Sequence, residues 1–294
     1  MNLKNNISYL KRVAKITLAR RFEKQLHFIE KKRLKKIVDD NNKIVLIYTI
    51  GKVGSSSVYA SLKESKNQIH FPVFHIHSLN PERIKKQKEY YRSSNRKSIP
   101  FHLIQSSVLV EILKNYTGKI FVYTFIREPI SRELSSLFQD SFNFTTSRKL
   151  VRSGMVGLVN TKVKSLTDSL PEEEWFDNEL KKVFGFDIYD MNFEPTKGYK
   201  ILKKKNISLA FARLENLASN FSVINQKLFE ENLQVQLVHS NVSEDKFYKQ
   251  DYKEIKNKIN FSNSDLERVL KSRFINKFYP DYKEIIKQKW GRDH

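Results

Sequence analysis

The stretch IVLIYTIGKVGSSSVYASL, residues 44–62, constrains this chain more than any other. Ile44–Ile50 is an apolar, largely β-branched run without charge, the pattern of a strand buried on both faces. Gly51 and Gly54 then frame Lys52 and Val53, three serines follow, and residues 55–65 have helical spacing. A strand that turns through glycines into a helix needs a second strand on which that helix can pack. KIFVYTFI (Lys119–Ile126) is the clearest candidate, and Pro129 opens a helix behind it through about Gln139.

Other segments repeat the alternation. IHFPVFHIH (Ile69–His77) reads as a strand, with Pro72 weakening its first half. Asn80 and Pro81 start a polar helix or loop, Val108–Asn115 has a helical pattern, and Pro171–Phe184 opens with proline and acids. FDIYDMNF and GYKILKKKNISLAFARL give short strands, the last near Ile207–Leu214. Residues 215–230 read as helix, Val235–Val238 as a strand, and the rest as mostly helical. Residues 141–170 carry little pattern. The expected fold is α/β, three layers with a central, mostly parallel sheet, helices on both faces and a helical C-terminal part.

Charge enters at the N-terminus. Residues 1–40 carry twelve Lys or Arg against four Asp or Glu, a net of +8 out of +22 for the chain. Ile7, Leu10, Ala14, Leu18, Phe22, Leu26 and Ile29 recur at helical steps. A basic amphipathic helix over residues 1–38 is therefore expected, with one α/β domain over residues 39–294. Its apolar stripe can lie on an anionic membrane surface or pack on the domain. The basic balance points to anionic partners: nucleic acid, acidic lipid, acidic glycan or a phosphorylated nucleotide. There is no cysteine, so disulfides and thiolate metal sites are excluded. No apolar run reaches the roughly 20 residues that span a bilayer. A cytoplasmic protein is expected, with peripheral contact to the inner membrane if the stripe faces lipid.

The Gly51–Ser57 loop has the makings of an anion site. Backbone N–H groups converge at a helix N-terminus, and Gly51 and Gly54 can take positive φ. Ser55, Ser56 and Ser57 add hydroxyls. A nucleoside-triphosphate loop places Lys and Ser/Thr directly after its last glycine, where the hydroxyl binds magnesium. Here Lys52 comes before Gly54, and Arg127 rather than an acid follows the Phe121–Ile126 strand. In TFIREPISRELSS, Arg127 and Ser135 can converge on a second phosphate, the guanidinium offering a planar fork of donors. The competing reading pairs Arg127 with Glu128 or Glu133.

GKVGSSS after one strand and IREPISRELSS after another resemble the P-loop sulfotransferases, in particular a bacterial branch named for capsular polysaccharide synthesis. The resemblance extends through HIH, FGFDIY, GYKIL and ARLENL to FYPDYKEIIKQKW, about Lys43–Trp290. It implies 3′-phosphoadenosine-5′-phosphosulfate as donor, without a metal. Gly51, Lys52, Val53, Gly54, Ser55, Ser56 and Ser57 would grip the 5′-phosphosulfate, and Arg127 and Ser135 the 3′-phosphate. It also implies that Lys52 neutralises charge on the leaving phosphate. The implied acceptor is a hydroxyl of a surface glycan, acidic or lipid-linked.

Transfer to a hydroxyl needs a base. His75 and His77 share one face of a strand, and His77 is nearer its carboxyl end. His77 is the expected base, titrating near neutrality, with His75 deeper and structural; Glu215 and His239 are alternatives. Two other classes compete. A basic nucleic-acid-binding protein would use the same charge, but no helix-turn-helix, zinc or RNA-recognition signature is present. A nucleotide-dependent phosphotransferase would need the missing Lys-Ser/Thr pair.

Overall fold

In the computed structural model, the described residues are 22–65, 67–93, 99–144, 154, 157–159, 161, 170–238, 249–259 and 261–291. Five strands form one sheet in the order β2-β1-β3-β5-β4. These are β1 (Lys43–Tyr48), β2 (Val73–Ile76), β3 (Lys119–Ile126), β4 (Tyr199–Lys204) and β5 (Ile207–Arg213). β1 pairs in parallel with β2 and β3, β3 with β5, and only β4 runs antiparallel. Residues Ile44–Tyr48 and Ile120–Ile126 are all buried, as the uncharged runs require of strands covered on both faces. β4 is an edge strand, and its Lys200, Lys203 and Lys204 keep that edge charged and unattractive to further pairing.

The helices are α1 (Glu23–Asp39), α2 (Ser55–Glu64), α3 (Pro81–Ser93), α4 (Phe101–Leu113), α5 (Pro129–Phe144) and α6 (Pro171–Trp175). α6 continues as a π-helix, Phe176–Phe184. After β5 come a 3₁₀ turn (Leu214–Asn216), α7 (Leu217–Phe229), α8 (Lys249–Lys258), α9 (Asn263–Leu270), α10 (Arg273–Phe278) and α11 (Lys283–Trp290). The structure is thus α/β with a helical C-terminal part.

Several expectations are corrected. β1 stops at Tyr48 rather than Ile50, and β2 keeps only the half after Pro72. α4 begins at Phe101, not Val108, because Pro100 fixes an extended residue just ahead of a continuous helical run. FDIYDMNF forms turns, not a strand. Its Phe186, Ile188, Met191 and Phe193 are buried by packing, with Phe193 edge-on to Phe211 at 5.7 Å. Residues 232–238 form no strand either; Val235 is buried, and the Val238 N–H donates to Ser61 Oγ at 2.7 Å.

Ile7, Leu10, Ala14 and Leu18 lie outside the described residues. The end of the N-terminal segment is part of the domain. α1 buries Leu34 and Val38 in the core, and Gln105 on α4 donates to the buried Glu30 at 2.8 Å. Removing residues 1–21 is expected to leave the melting temperature within a few degrees. Removing 1–38 strips two core side chains worth about 2–4 kcal/mol each and should leave a much less stable protein. Thermal unfolding of the two truncations checks this; equal stability would show that α1 is an appendage.

Candidate active site

Three neighbouring strands end at the same edge of the sheet, and each delivers one expected element. His77 follows β2, the Gly51–Gly54 loop follows β1, and Arg127 follows β3. The carboxyl ends of adjacent parallel strands are where ligands bind in open α/β sheets.

The loop differs from expectation in which residue carries the unusual backbone. Gly51 does not take positive φ. Lys52 does, at 72°, and Gly54 does, at 77°. Lys52 therefore occupies the left-handed region at a cost of about 1–2 kcal/mol. Gly54 is favoured by its backbone: a side chain at φ 77° is strained, and a Cβ there would also have to push aside the Leu214 side chain, 2.4 Å away in the turn after β5. At Gly51 a Cβ would meet nothing within 4 Å, so the loop is open to a ligand on that side. Gly54 caps α2, whose first residues are Ser55, Ser56 and Ser57. Val53 is fully buried and anchors the turn, while Lys52, Ser56 and Ser57 are half-buried at the surface of the cleft. This open, glycine-bounded helix start fits an anionic group.

Arg127 leans toward that loop. Its Nη1 donates to the Lys52 carbonyl at 3.3 Å. The competing pairing fails because both carboxylates are engaged elsewhere. Glu128 caps its own helix, accepting from the Ile130 N–H at 2.7 Å and the Ser131 N–H at 3.1 Å. Glu133 takes Arg132 at 2.8 Å, and Arg132 also pairs with the buried Glu172. Ser135 lies half-buried on α5. Among the described residues no hydrogen bond joins it to Arg127.

The C-terminal segment braces these strand ends. Trp290 Nε1 donates to Glu128 at 3.1 Å, and Lys289 Nζ donates to Ser131 Oγ at 2.6 Å. Glu215 accepts from the Glu128 N–H and from the Tyr279 hydroxyl, both at 2.9 Å. With each oxygen accepting one hydrogen bond, Glu215 ties the end of β3 to the C-terminal segment. Arg213 pairs with Asp281 at 2.8 Å and lies over the rings of Tyr279 and Tyr282. His239 lies outside the described residues.

His77 is fixed from two sides. Its Nδ1 is 2.8 Å from the Thr49 carbonyl, which can only accept, so Nδ1 carries the proton and Nε2 keeps its lone pair. Its own carbonyl accepts from Trp175 Nε1 at 2.9 Å. Just beyond, buried Glu179 on the π-helix takes the Tyr48 hydroxyl and the N–H groups of Leu79 and Asn80, at 2.9 and 2.8 Å. Burial lowers the His77 pKa and the Lys52 charge lowers it further, against the opposing hydrogen bond to Thr49. Its base form is thus populated at neutral pH.

His75, one pleat before His77, also touches the loop: its Nε2 is 2.9 Å from Ser55 Oγ, the first hydroxyl of the loop helix. Tyr59 stacks on its ring at 5.6 Å, and burial first, then His77 and His102, push its pKa down to about 4. Sequence reasoning missed His102, at the start of α4. It is exposed to solvent, with its ring edge-on to His77 at 6.4 Å. Only the tertiary fold brings it there, and no local pattern announces it. Among the described residues, no three His, Cys, Asp or Glu are grouped so as to hold a metal ion.

No curated protein and no solved structure matches this chain. A family model does match, over residues 155–280, which include β4, β5 and most of the helical C-terminal part. The loops at Gly51–Ser57 and Arg127–Ser135 and the histidines lie upstream of that match. Over those residues the chain is similar to the family described as "NKWYS: Putative capsular polysaccharide synthesis protein".

Proposed function

We propose that this chain is a sulfotransferase. It would move a sulfuryl group from 3′-phosphoadenosine-5′-phosphosulfate to a hydroxyl of a bacterial surface glycan, within capsular polysaccharide synthesis. The observation that supports this most is the junction of the two loops. Arg127 reaches the Lys52 carbonyl, so two anion-binding elements meet on adjacent strand ends, with a neutral His77 just past the end of the next strand. The family similarity over residues 155–280 favours the glycan context. The P-loop sulfotransferase fold is part of the same proposal.

In this reading the N–H groups and hydroxyls of Gly51–Ser57 bind the 5′ end of the donor, and Arg127 with Ser135 binds the 3′-phosphate. His77 Nε2 accepts the acceptor's hydroxyl proton as the new O–S bond forms. Lys52 places positive charge where the S–O bond to phosphate breaks and negative charge develops.

Calorimetry with 3′,5′-adenosine bisphosphate, beside ATP with magnesium, tests the reading. Metal-independent binding of the 3′-phosphorylated nucleotide is expected, with ATP much weaker. Arg127→Ala should weaken that binding by about 1.5–3 kcal/mol, the scale of a charge-assisted hydrogen bond. Equal affinity for ATP would favour a phosphotransferase instead.

A further inference from the structure

α1 has two chemically distinct faces. The inner one holds Leu34, Val38 and Glu30 against the domain. The outer one exposes Phe28 and Ile29 at 58% and 60%, with Phe22 at 40% just before the helix. Lys24, Lys32 and Lys36 are exposed on the same helix, and the Lys32 ammonium lies 4.5 Å from the centre of the Phe28 ring. The acids of α1 are already engaged: Glu23 with Lys88 and Arg92, Glu30 with Arg33, Asp39 with Lys35. The outer face is therefore apolar at its centre and cationic around it. The 21 residues before it add six Lys or Arg and no acid.

The orientation of this helix carries the consequence. α1 leads through residues 40–42 into the start of β1, so it runs back along the sheet. Its first turn lies near the end where the strands finish. There Glu23 meets Arg92 at 2.8 Å, and Leu26 packs with Ile99, Leu103 and Ile104. His102, beside His77, belongs to that same segment.

We propose that the outer face of α1 docks on an anionic bilayer surface and brings the mouth of the candidate site against it. An apolar centre ringed by cations has the chemistry of an interfacial helix. A polyanion such as nucleic acid would use the lysines but leave Phe28 and Ile29 without a role. A second copy would set one cationic face against another. Among the described residues no helix is long and apolar enough to cross a membrane, so the contact would be peripheral. The site mouth would then lie within reach of an acceptor carried on lipid. The docking itself does not depend on sulfuryl transfer.

Co-sedimentation of the full chain with vesicles tests this. Binding is expected to phosphatidylcholine vesicles containing phosphatidylglycerol and not to phosphatidylcholine alone, and it should weaken as salt rises. Phe28→Ser with Ile29→Ser should lower it at least about tenfold. Lys24→Glu, Lys32→Glu and Lys36→Glu together should lower it about a hundredfold. Hydrogen exchange on the wild-type chain gives an independent measure: vesicles should protect residues 22–36. No binding to anionic vesicles would overturn the proposal. So would binding insensitive to Phe28→Ser with Ile29→Ser, which marks an unspecific polycation. Protection elsewhere, or self-association abolished by that same pair without vesicle binding, would overturn it as well.

Discussion

His77→Ala is expected to lower kcat by roughly 10²–10⁴-fold, with affinity for 3′,5′-adenosine bisphosphate nearly intact. The imidazole stands just past the end of β2, beside the loop and not in it, so its loss should spare the anion site. Its tautomer is fixed by the 2.8 Å hydrogen bond to the Thr49 carbonyl, which leaves Nε2 as the acceptor. His77→Asn separates geometry from chemistry: its amide can still donate to Thr49, but it has no basic nitrogen. Wild-type turnover by His77→Asn would remove His77 as the base.

The pH dependence follows from the direction of the shift. From the strand pattern alone, an imidazole titrating near neutrality is expected. Burial and the Lys52 charge instead lower the His77 pKa below its ordinary 6.5. The base is deprotonated above its pKa, so kcat/KM should rise with pH on the acid side of 6.5 and be flat across neutrality. Stability should change in the same range for another reason. His75 binds its proton near 6.5 when unfolded and near 4 when folded. The unfolded state then holds more protons between these values, and stability falls as pH drops through that window, by up to ~3 kcal/mol. His75→Asn should reduce this slope in thermal melts without abolishing it, because desolvation lowers the pKa of His77 and of His102 as well and they carry the rest. A melt that changes while the kcat/KM profile does not distinguishes unfolding from loss of the base. A kcat/KM rise centred at or above pH 7 would contradict the burial of His77.

The strands that could be read from sequence are those whose apolar runs are buried on both sides. β3 falls on Lys119–Ile126 as expected because no charge, glycine or proline interrupts it. FDIYDMNF mimics a strand because its apolar residues alternate, yet they are buried by packing on aromatic rings of the core and pair with no neighbour. The alternation records burial; it does not record whether a ladder partner is in reach. The site divides along the same line. Glycines, serines and Arg127 mark their loops locally. The contacts of His75 with Ser55, of His102 with His77, and of Glu179 with Leu79 and Asn80 join residues far apart in the chain. No spacing rule reports them. The left-handed backbone at Lys52 was equally hidden, since Gly51 is the residue that invites it and does not adopt it.

That backbone makes Lys52→Gly the sharper test of the loop. A lysine at φ 72° holds a conformation that glycine adopts freely. Lys52→Gly therefore relieves strain of about 1–2 kcal/mol, offset in part by the extra freedom glycine gives the unfolded chain, about 0.5–1 kcal/mol. The variant should melt within a few degrees of wild type, so a loss of activity cannot be blamed on the fold. It lacks the ammonium that would meet charge developing on the departing phosphate. Removing one such stabilising group lowers kcat by about 10²–10³-fold. Affinity for 3′,5′-adenosine bisphosphate should fall far less, because the N–H groups of Gly54–Ser57 and the Arg127 guanidinium remain. Lys52→Arg keeps the charge and the strain but spreads the charge over a planar group, so its turnover should lie between the two. Single-turnover transfer measured beside thermal melts decides the outcome. A Lys52→Gly protein that transfers at the wild-type rate would show that the lysine serves the loop's shape or the surface charge, and not the transfer.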